Sequence, residues 1–306
     1  MSDNRPVLCI GDTDVDLFIE VATLPGFDQK IDGRVLARTP GGMAANVAVA
    51  LARLGTPARL LSCIGDDADG RFAFGKLAEE GVDIGGVRTL AGARTFSCLV
   101  FLGPSGEKAL VRLPTGAYLP DPAALDPRAF ADVAHVHLTM GRPAVTLRAM
   151  ALARAAGCTV SLDLEESDLP VEPAPVVEAL AAADLVFVNE RTHLTLEARC
   201  LGSARGDRPL VVTLGARGSR YVAAGASAHA PGLAVRPVDT TGAGDAFAAA
   251  FIHTHLLHGM PPAAALAFAN TAAALGTRAI GAQTALPGRA EVEERLAAEW
   301  HDGKVP

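Results

Sequence analysis

From residue 134 onward the chain alternates short apolar runs with longer helical stretches, and this alternation limits the fold more than any other feature. "AHVHL", "CTVSLDL", "DLVFVN" and "PLVVTLG" each have the length of one buried strand. Strands of this kind, separated by helices, predict a mainly parallel sheet covered on both faces. The N-terminal part follows the same plan. "PVLCIG" reads as a strand, Gly42 to Leu54 as a helix closed by Gly55, and "ARLLSCIG" as a second buried strand. "DDADGRFAFGKLAEEG" then reads as a helix with acidic residues at its start and glycine at its end. From Gly242 the chain is almost wholly helical. The expected class is α/β, a three-layer α/β/α arrangement with a mainly parallel central sheet.

Two segments break the alternation. Residues 13–40 carry the turns "LPGFD" and "IDGR", and in residues 93–116 two strand-like runs flank "GPSGE", a hairpin signal. Their distance in sequence does not prevent them from pairing in space. They are expected to form one small β-sheet lid over the active edge of the larger sheet. The core is then residues 1–12, 41–92 and 117–306, and the lid is 13–40 and 93–116.

The 306 residues suffice for one large α/β domain or two ordinary ones, and with half of them apolar a sizeable core can be buried. The net charge of −7, without a lysine/arginine block, makes nucleic acid and anionic membranes poor partners. Any phosphate site must therefore be made locally. "MSDNRPVLCIGDTDVDLFIE" lacks a basic n-region and a long apolar run, so no signal peptide is expected. No run approaches 18 strongly apolar residues, so no membrane span is expected either. Cys9, Cys63, Cys98, Cys158 and Cys200 are odd in number and never spaced as CxxC. They read as reduced, mostly buried thiols of a cytoplasmic protein.

Several motifs fail on inspection. Gly70 to Leu77, "GRFAFGKL", fits GxxxxGK of a P-loop, but Leu77 stands where a magnesium-binding hydroxyl is needed, and Arg-Phe-Ala-Phe patterns as a helix. No GxGxxG follows the first strand, and "GAGDAF" ends on Phe247 rather than a small residue, which removes a dinucleotide fold. "DTDVD" starts like a calcium loop, but Leu17 and Thr23 occupy the positions for its glycine and final acid. Asp12, Asp14 and Asp16 instead follow a strand's C-terminal end, where α/β sheets place ligands. Solvated turn aspartates remain the alternative for at least one of them. His253, His255 and His258 lie on one helix without an acidic partner, and His135 and His137 on one strand face. Both groups read as structural or surface residues.

"VDTTGAGDAFAAAF", residues 238–251, places one carboxylate, Asp245, at the start of an apolar helix. Gly242 and Gly244 lack Cβ, so ligand oxygens can approach the backbone N–H groups of residues 242–245. A transferring phosphoryl group would be stabilised there, and Asp245 beside it could accept a hydroxyl proton. From the motif alone, a charged helix start with small residues for packing fits equally well.

"DTTGAGDAF" and the earlier "GGMAANVAVALARLG" resemble the C-terminal and N-terminal signatures of the ribokinase-like (PfkB) carbohydrate kinases. "GDDADG" and "TLGARG" also stand in family positions, and the resemblance runs from Gly11 to about Pro287. It implies a kinase with a ribokinase-like core, a β-lid, and a sugar bound between them. By matching positions, Asp16, Gly42 and Asn46 would meet the sugar. Asp245 would deprotonate its primary alcohol, and the backbone around Gly242, Ala243 and Gly244 would hold the phosphoryl charge. Asn189, Thr213, Gly215, Gly218 and Asn270 match nucleotide-side positions. ATP with Mg2+ is the implied cofactor, and Asp239 and Thr241 match a loop that binds a monovalent cation, potassium, in some members. The lid also suggests a homodimer, since an isolated sheet with Phe96, Leu99, Val100 and Phe101 leaves an apolar face and open edges.

The chain departs from the family in three places. The magnesium-linked Asn-x-x-Glu becomes Asn189-Glu190-Arg191-Thr192, so the glutamate is missing at its usual place. After "AHVHL" the stretch "TMGRP" lacks the sugar-binding glutamate frequent in ribokinases. The cation loop "TRAIGAQTALP" is one residue longer than ribokinase's. The leading expectation is an ATP-dependent kinase of a small sugar or sugar derivative. A nucleoside kinase of the same superfamily is the runner-up, with Phe18, Phe27, Phe96, Phe101 or Tyr118 as a base platform. Arg112 would meet an acidic sugar or face solvent. A catalytically silent sugar sensor is a third reading, against which an intact Asp245 and glycine cradle argue.

Overall fold

A computed structural model of the chain describes residues 5–104 and 107–301. The strand β1 (Val7–Ile10) leads into the antiparallel pair β2 (Asp14–Val21) and β3 (Gly33–Gly41). There follow α1 (Met43–Arg53), β4 (Ala58–Gly65), α2 (Ala68–Glu79), β5 (Asp83–Leu90), and the pair β6 (Phe96–Leu102) and β7 (Lys108–Leu113). The alternating part comprises β8 (His135–Thr139), α3 (Pro143–Ala155), β9 (Thr159–Leu164), α4 (Ala174–Ala182), β10 (Leu185–Asn189), α5 (Glu190–Ala198) and β11 (Leu210–Thr213). A hairpin of β12 (Ser219–Ala223) and β13 (Ala226–Ala230) precedes α6 (Ala243–Phe251), α7 (Pro262–Gly276) and α8 (Arg289–His301).

Nine strands form one sheet in the order β13-β12-β11-β10-β9-β8-β1-β4-β5, parallel from β11 to β5. Along β1, Val7 and Cys9 join one apolar layer with α1, α6 and α7, while Leu8 and Ile10 join the other with α3 and α4. A strand buried on both faces needs no polar alternation, which explains the unbroken apolar runs. The chain leaves β1 toward β4 on one side and returns to β8 on the other. The crevice at the C-terminal ends of these strands is where open α/β sheets bind ligands.

Four strands, β3-β2-β6-β7, form a separate small sheet. The two segments that interrupt the alternation meet in it, because β2 pairs parallel with β6. Phe18, Phe96, Cys98 and Val100 make its own buried cluster.

Two elements escaped the sequence pattern. In β5, "DIGGVRTL" has adjacent glycines and few apolar residues, yet it pairs with β4 because Gly86 passes where a Cβ would collide with Leu61. The β12–β13 hairpin is short and poor in large apolar residues. At the end of α6, residues Ile252–Leu257 widen into a π-helical turn. His253 in that turn is buried and hydrogen-bonded to Thr56 Oγ1 at 2.7 Å, and burial lowers its pKa to about 4. His135 and His137 both meet Ser161 Oγ in the core. These histidines are structural. Among the described residues no helix is long and apolar enough to cross a membrane.

Candidate active site

Two cavities meet at the start of α6. The first, about 280 Å³, lies between the small sheet and the C-terminal ends of β1, β9, β10 and β11. The second, about 530 Å³, lies between the Gly215–Gly218 turn, the 232–237 segment and α7. Thr213, Thr240, Gly244 and Phe247 line both. A ligand spanning the two must pass the first turn of α6.

That turn is built for close approach. Gly242 caps α6 with φ 76°, a left-handed conformation, and a Cβ there would sit 2.7 Å from Ala282 Cβ. A Cβ on Gly244 would meet no atom beyond its chain neighbours and its own helix backbone within 4 Å, so its absence leaves space in the cavities rather than in the packing. Ala243 N–H donates to the Thr240 carbonyl at 3.3 Å, and the first intrahelical bond runs from Ala246 N–H to Gly242 O at 2.9 Å. The N–H groups of the first helical turn otherwise lack helical acceptors and carry the positive end of the dipole.

Asp245 is 7% exposed and lines the first cavity. Asn46, on α1, donates from Nδ2 to Asp245 Oδ2 at 2.7 Å, and its own Oδ1 accepts from Gln283 Nε2 at 2.9 Å. Burial raises the Asp245 pKa well above the ordinary carboxylate value, against the lowering effect of the Asn46 hydrogen bond. A raised pKa makes Asp245 a stronger base once ionised. It is not an exposed helix cap.

The crossing of β2 into the cavity brings Asp12, Asp14 and Asp16 together, and all three are buried. The alternative of a solvated turn aspartate among them is corrected: none is more than 7% exposed, and Asp14 and Asp16 lie within β2 itself. Burial pushes Asp16 up to about 7. Cys98 Sγ donates to Asp14 Oδ2 at 3.5 Å, while Asp14 Oδ1 has no partner. Gly41 and Gly42 let the start of α1 pass this cluster. A Cβ on Gly42, whose φ is 99°, would stand 2.6 Å from the Asp12 carbonyl oxygen.

Further residues line the first cavity without having been singled out as site residues: Asp163 and Glu165 at the end of β9, Asp168 after it, and Lys108 on β7. "SLDLEESD" could have revealed the acids, since it follows a parallel strand's C-terminal end. Arg112, left between a ligand and solvent by the sequence, donates to Asp168 Oδ1 at 2.7 Å and to the Tyr118 hydroxyl. Of the five aromatic candidates, only Phe96 lines this cavity; Phe18 is fully buried in the small sheet.

Of the residues matched to nucleotide positions, Asn189 lines the first cavity, Gly215, Gly218 and Asn270 line the second, and Thr213 lines both. Asn270 Nδ2 donates to the Ala230 and Pro231 carbonyls at 3.0 Å each, holding the start of the cavity wall. Gly218, φ 96°, leaves room for the Ala230 carbonyl. Asp239 and Thr241 are in contact: Asp239 Oδ1 accepts from Thr241 Oγ1 at 2.7 Å, and Oδ2 accepts from Gly281 N–H at 2.9 Å.

The residues suit a hydrated magnesium ion in one region. Glu190 pairs with Arg217, and Asn189 Oδ1 already accepts from Thr192 N–H and Oγ1. Asp163 and Glu165 remain as hard oxygen donors lining the same cavity, and binding the ion would displace the proton that burial favours on Asp163. The cluster of Asp14, Asp16 and Cys98 suits magnesium poorly, since burial holds the Cys98 thiol far above its usual pKa and protonated.

The buried acids make stability fall with rising pH in the sugar-free protein. Asp16 at about 7 and Asp163 at about 8, each raised by burial first, bind protons in the folded state that the unfolded chain has released. Folding thus loses this support between the unfolded value, 3.8, and those folded values. His135, at about 3, and His137 and His253, at about 4, act oppositely, but only below their unfolded value of 6.5. Between pH ~6.5 and ~8 the acids act alone. Calorimetry should show Tm falling across that window, and Asp163→Asn should flatten the fall. A rising Tm in wild type contradicts this assignment.

Two joined cavities with a buried carboxylate beside a helix N-terminus have the features that phosphoryl transfer to an alcohol requires. The chain belongs to the pfkB family carbohydrate kinases, whose profile matches residues 4–289. It is 37% identical over 287 residues to an ATP-dependent ribose-1-phosphate kinase of Halopiger xanaduensis, covering 91% of this chain and 94% of that protein. It is 34% identical to a fructokinase of Klebsiella pneumoniae, covering 96% and 100%. The structure of a Xylella fastidiosa fructokinase with bound ATP superposes with a TM-score of 0.82 at 27% identity, covering 97% of this chain and 99% of that one. The fold is ribokinase-like, as the two signatures imply.

Proposed function

We propose that this carbohydrate kinase transfers the γ-phosphate of ATP to a hydroxymethyl group of a small sugar or sugar derivative. The observation that carries the reading is Gly244, an unfilled position shared by an acid-lined cavity and a larger, more apolar one. The sugar occupies the first cavity, with Asp16, Asn46 and the backbone at Gly42 against its hydroxyls. ATP occupies the second, its base against the 232–237 segment and α7. Asp245 takes the proton of the attacking hydroxyl. As the new oxygen–phosphorus bond forms, the bond to the β-phosphate oxygen breaks and ADP leaves. The N–H groups at 242–245 face the charge that develops on the transferred group. Magnesium, held through Asp163 and Glu165, supplies charge neutralisation on the phosphate oxygens when bound. Asp239 and Thr241 are the residues for potassium.

ADP release should be measured with magnesium-ATP across neutral sugars, sugar phosphates, sugar acids and nucleosides, with potassium against sodium. Turnover on a sugar supports the reading. Nucleosides as the best acceptors select the runner-up, and sugar binding without ADP release selects the sensor. A rate indifferent to potassium removes the cation role of Asp239 and Thr241.

The small sheet acts as a lid and as the interface of a homodimer in the cytoplasm. Phe96 and Val100 face the sheet's own cluster, so the expected apolar face shifts to Val35, Val111 and Leu113, exposed by 62%, 46% and 41%. Two edge strands, β3 and β7, leave unpaired backbone for a partner to cover. Light scattering at micromolar concentration should give twice the chain mass. A monomer with and without sugar rejects the interface.

A further inference from the structure

We infer that Lys108, on β7 of the small sheet, is a catalytic residue whose ammonium contacts the phosphoryl group during transfer. Its Nζ donates to Thr241 Oγ1 at 3.0 Å and lies 3.5 Å from Thr240 Oγ1 and 3.9 Å from Asp239 Oδ1. Thr241 immediately precedes Gly242, where the helix-terminal N–H groups begin. Among the described residues, Lys108 and Arg112 are the only cationic side chains lining the first cavity. Arg112 is engaged with Asp168 and Tyr118. Among the described residues lining this cavity, Lys108 is therefore the cation that stands beside the α6 turn.

The reaction needs such a charge there. The transferred group carries negative charge spread over its oxygens, while a helix N-terminus offers only about half an elementary charge. The same cavity is lined by acidic side chains, among them Asp245, whose ionised form is the base and opposes an incoming phosphate. An ammonium on a flexible four-carbon stem can follow the phosphoryl group from ADP to the sugar oxygen. Its neighbours on the 239–241 loop are two hydroxyls and one carboxylate, partners that a phosphate oxygen can replace. Lys108 also comes from the small sheet, whereas the N–H groups it assists belong to α6, packed on the large one. Moving the two sheets apart withdraws the charge, so closure over the sugar and stabilisation of the transferring phosphoryl group become one event.

This inference rests on the proposed transfer across Gly244 to an alcohol deprotonated by Asp245. The test compares wild type, Lys108→Met, Lys108→Ala, Lys108→Arg and Asp245→Asn on the best acceptor, with ATP affinity measured by calorimetry without sugar. Lys108→Met should lower kcat about 10²–10³-fold, the loss typical of removing one charge-stabilising donor. Sugar KM and sugar-free ATP affinity should stay within about threefold, the mark of an interaction made in the transition state. Ethylammonium should restore part of kcat to Lys108→Ala, where sodium does not, and Lys108→Arg should retain more activity than Lys108→Met. A Lys108→Met enzyme with full kcat, or one with only a raised sugar KM, overturns the inference, as does failure of amine rescue. An active Asp245→Asn enzyme would instead overturn the underlying transfer reading.

Discussion

Asp245→Asn is expected to lower kcat by about 10²–10⁴-fold, the range for losing a general base, while the protein folds at least as well as before. Asn46 Nδ2 donates to Asp245 Oδ2, and an asparagine side-chain oxygen can accept the same hydrogen bond. The substitution also removes a buried carboxylate whose ionised form burial disfavours, so Tm should hold or rise. The pH profile adds a second readout. A base must be ionised to accept a proton, and the Asp245 pKa is raised, so wild-type kcat should climb with pH through that value. The residual activity of Asp245→Asn should lack this limb. Full kcat in the variant removes Asp245 from the chemistry. An unchanged pH limb assigns that limb to another group.

The second large effect is expected from Gly244→Ala, where activity and stability should move in opposite directions. A methyl group there touches nothing beyond its chain neighbours and its own helix backbone within 4 Å, and Gly244 lies in the helix without a positive φ. Alanine is the better helix former, by up to about 1 kcal/mol, so Tm should stay or rise. Yet the methyl projects where the two cavities join, displacing the phosphate from the N–H groups. A misplacement of about 1 Å can cost about 10²-fold in rate, and a loss of at least that size is expected. Gly242→Ala serves as the contrast. Its φ of 76° and the approach of Ala282 make alanine strained, so this variant should lose stability as well as rate. If Gly244→Ala turns over normally, phosphate does not pass this point.

Much of the site was legible in order along the chain. Gly42 and Asn46 stand in one signature, Gly242 to Asp245 in another, and Asp16 after the first strand. Their roles depended on a resemblance, because a glycine-rich helix start with one acid fits packing as well as catalysis. The acids after β9 were missed since "SLDLEESD" has no motif spacing. Only the parallel position of β9 beside β10 turns Asp163 and Glu165 toward the same cavity as Asn189. Strand β5 was missed because its glycines and polar residues lack β-propensity, and close packing on Leu61 overrides that preference.

The sequence by itself determined the layered α/β plan, because apolar runs of strand length between helices bury well only in a covered parallel sheet. It also determined the backbone freedom at Gly42 and Gly242, where a side chain would be strained. Tertiary structure alone decided which charges share a cavity. Asn46 and Asp245 are joined across 199 residues, Lys108 and Thr241 across 133. No local pattern encodes such pairs, since they arise from the crossing of separate strands and helices. Burial, which raises Asp245 and buries Asp12, Asp14 and Asp16, is likewise a property of the closed sheets and not of any segment.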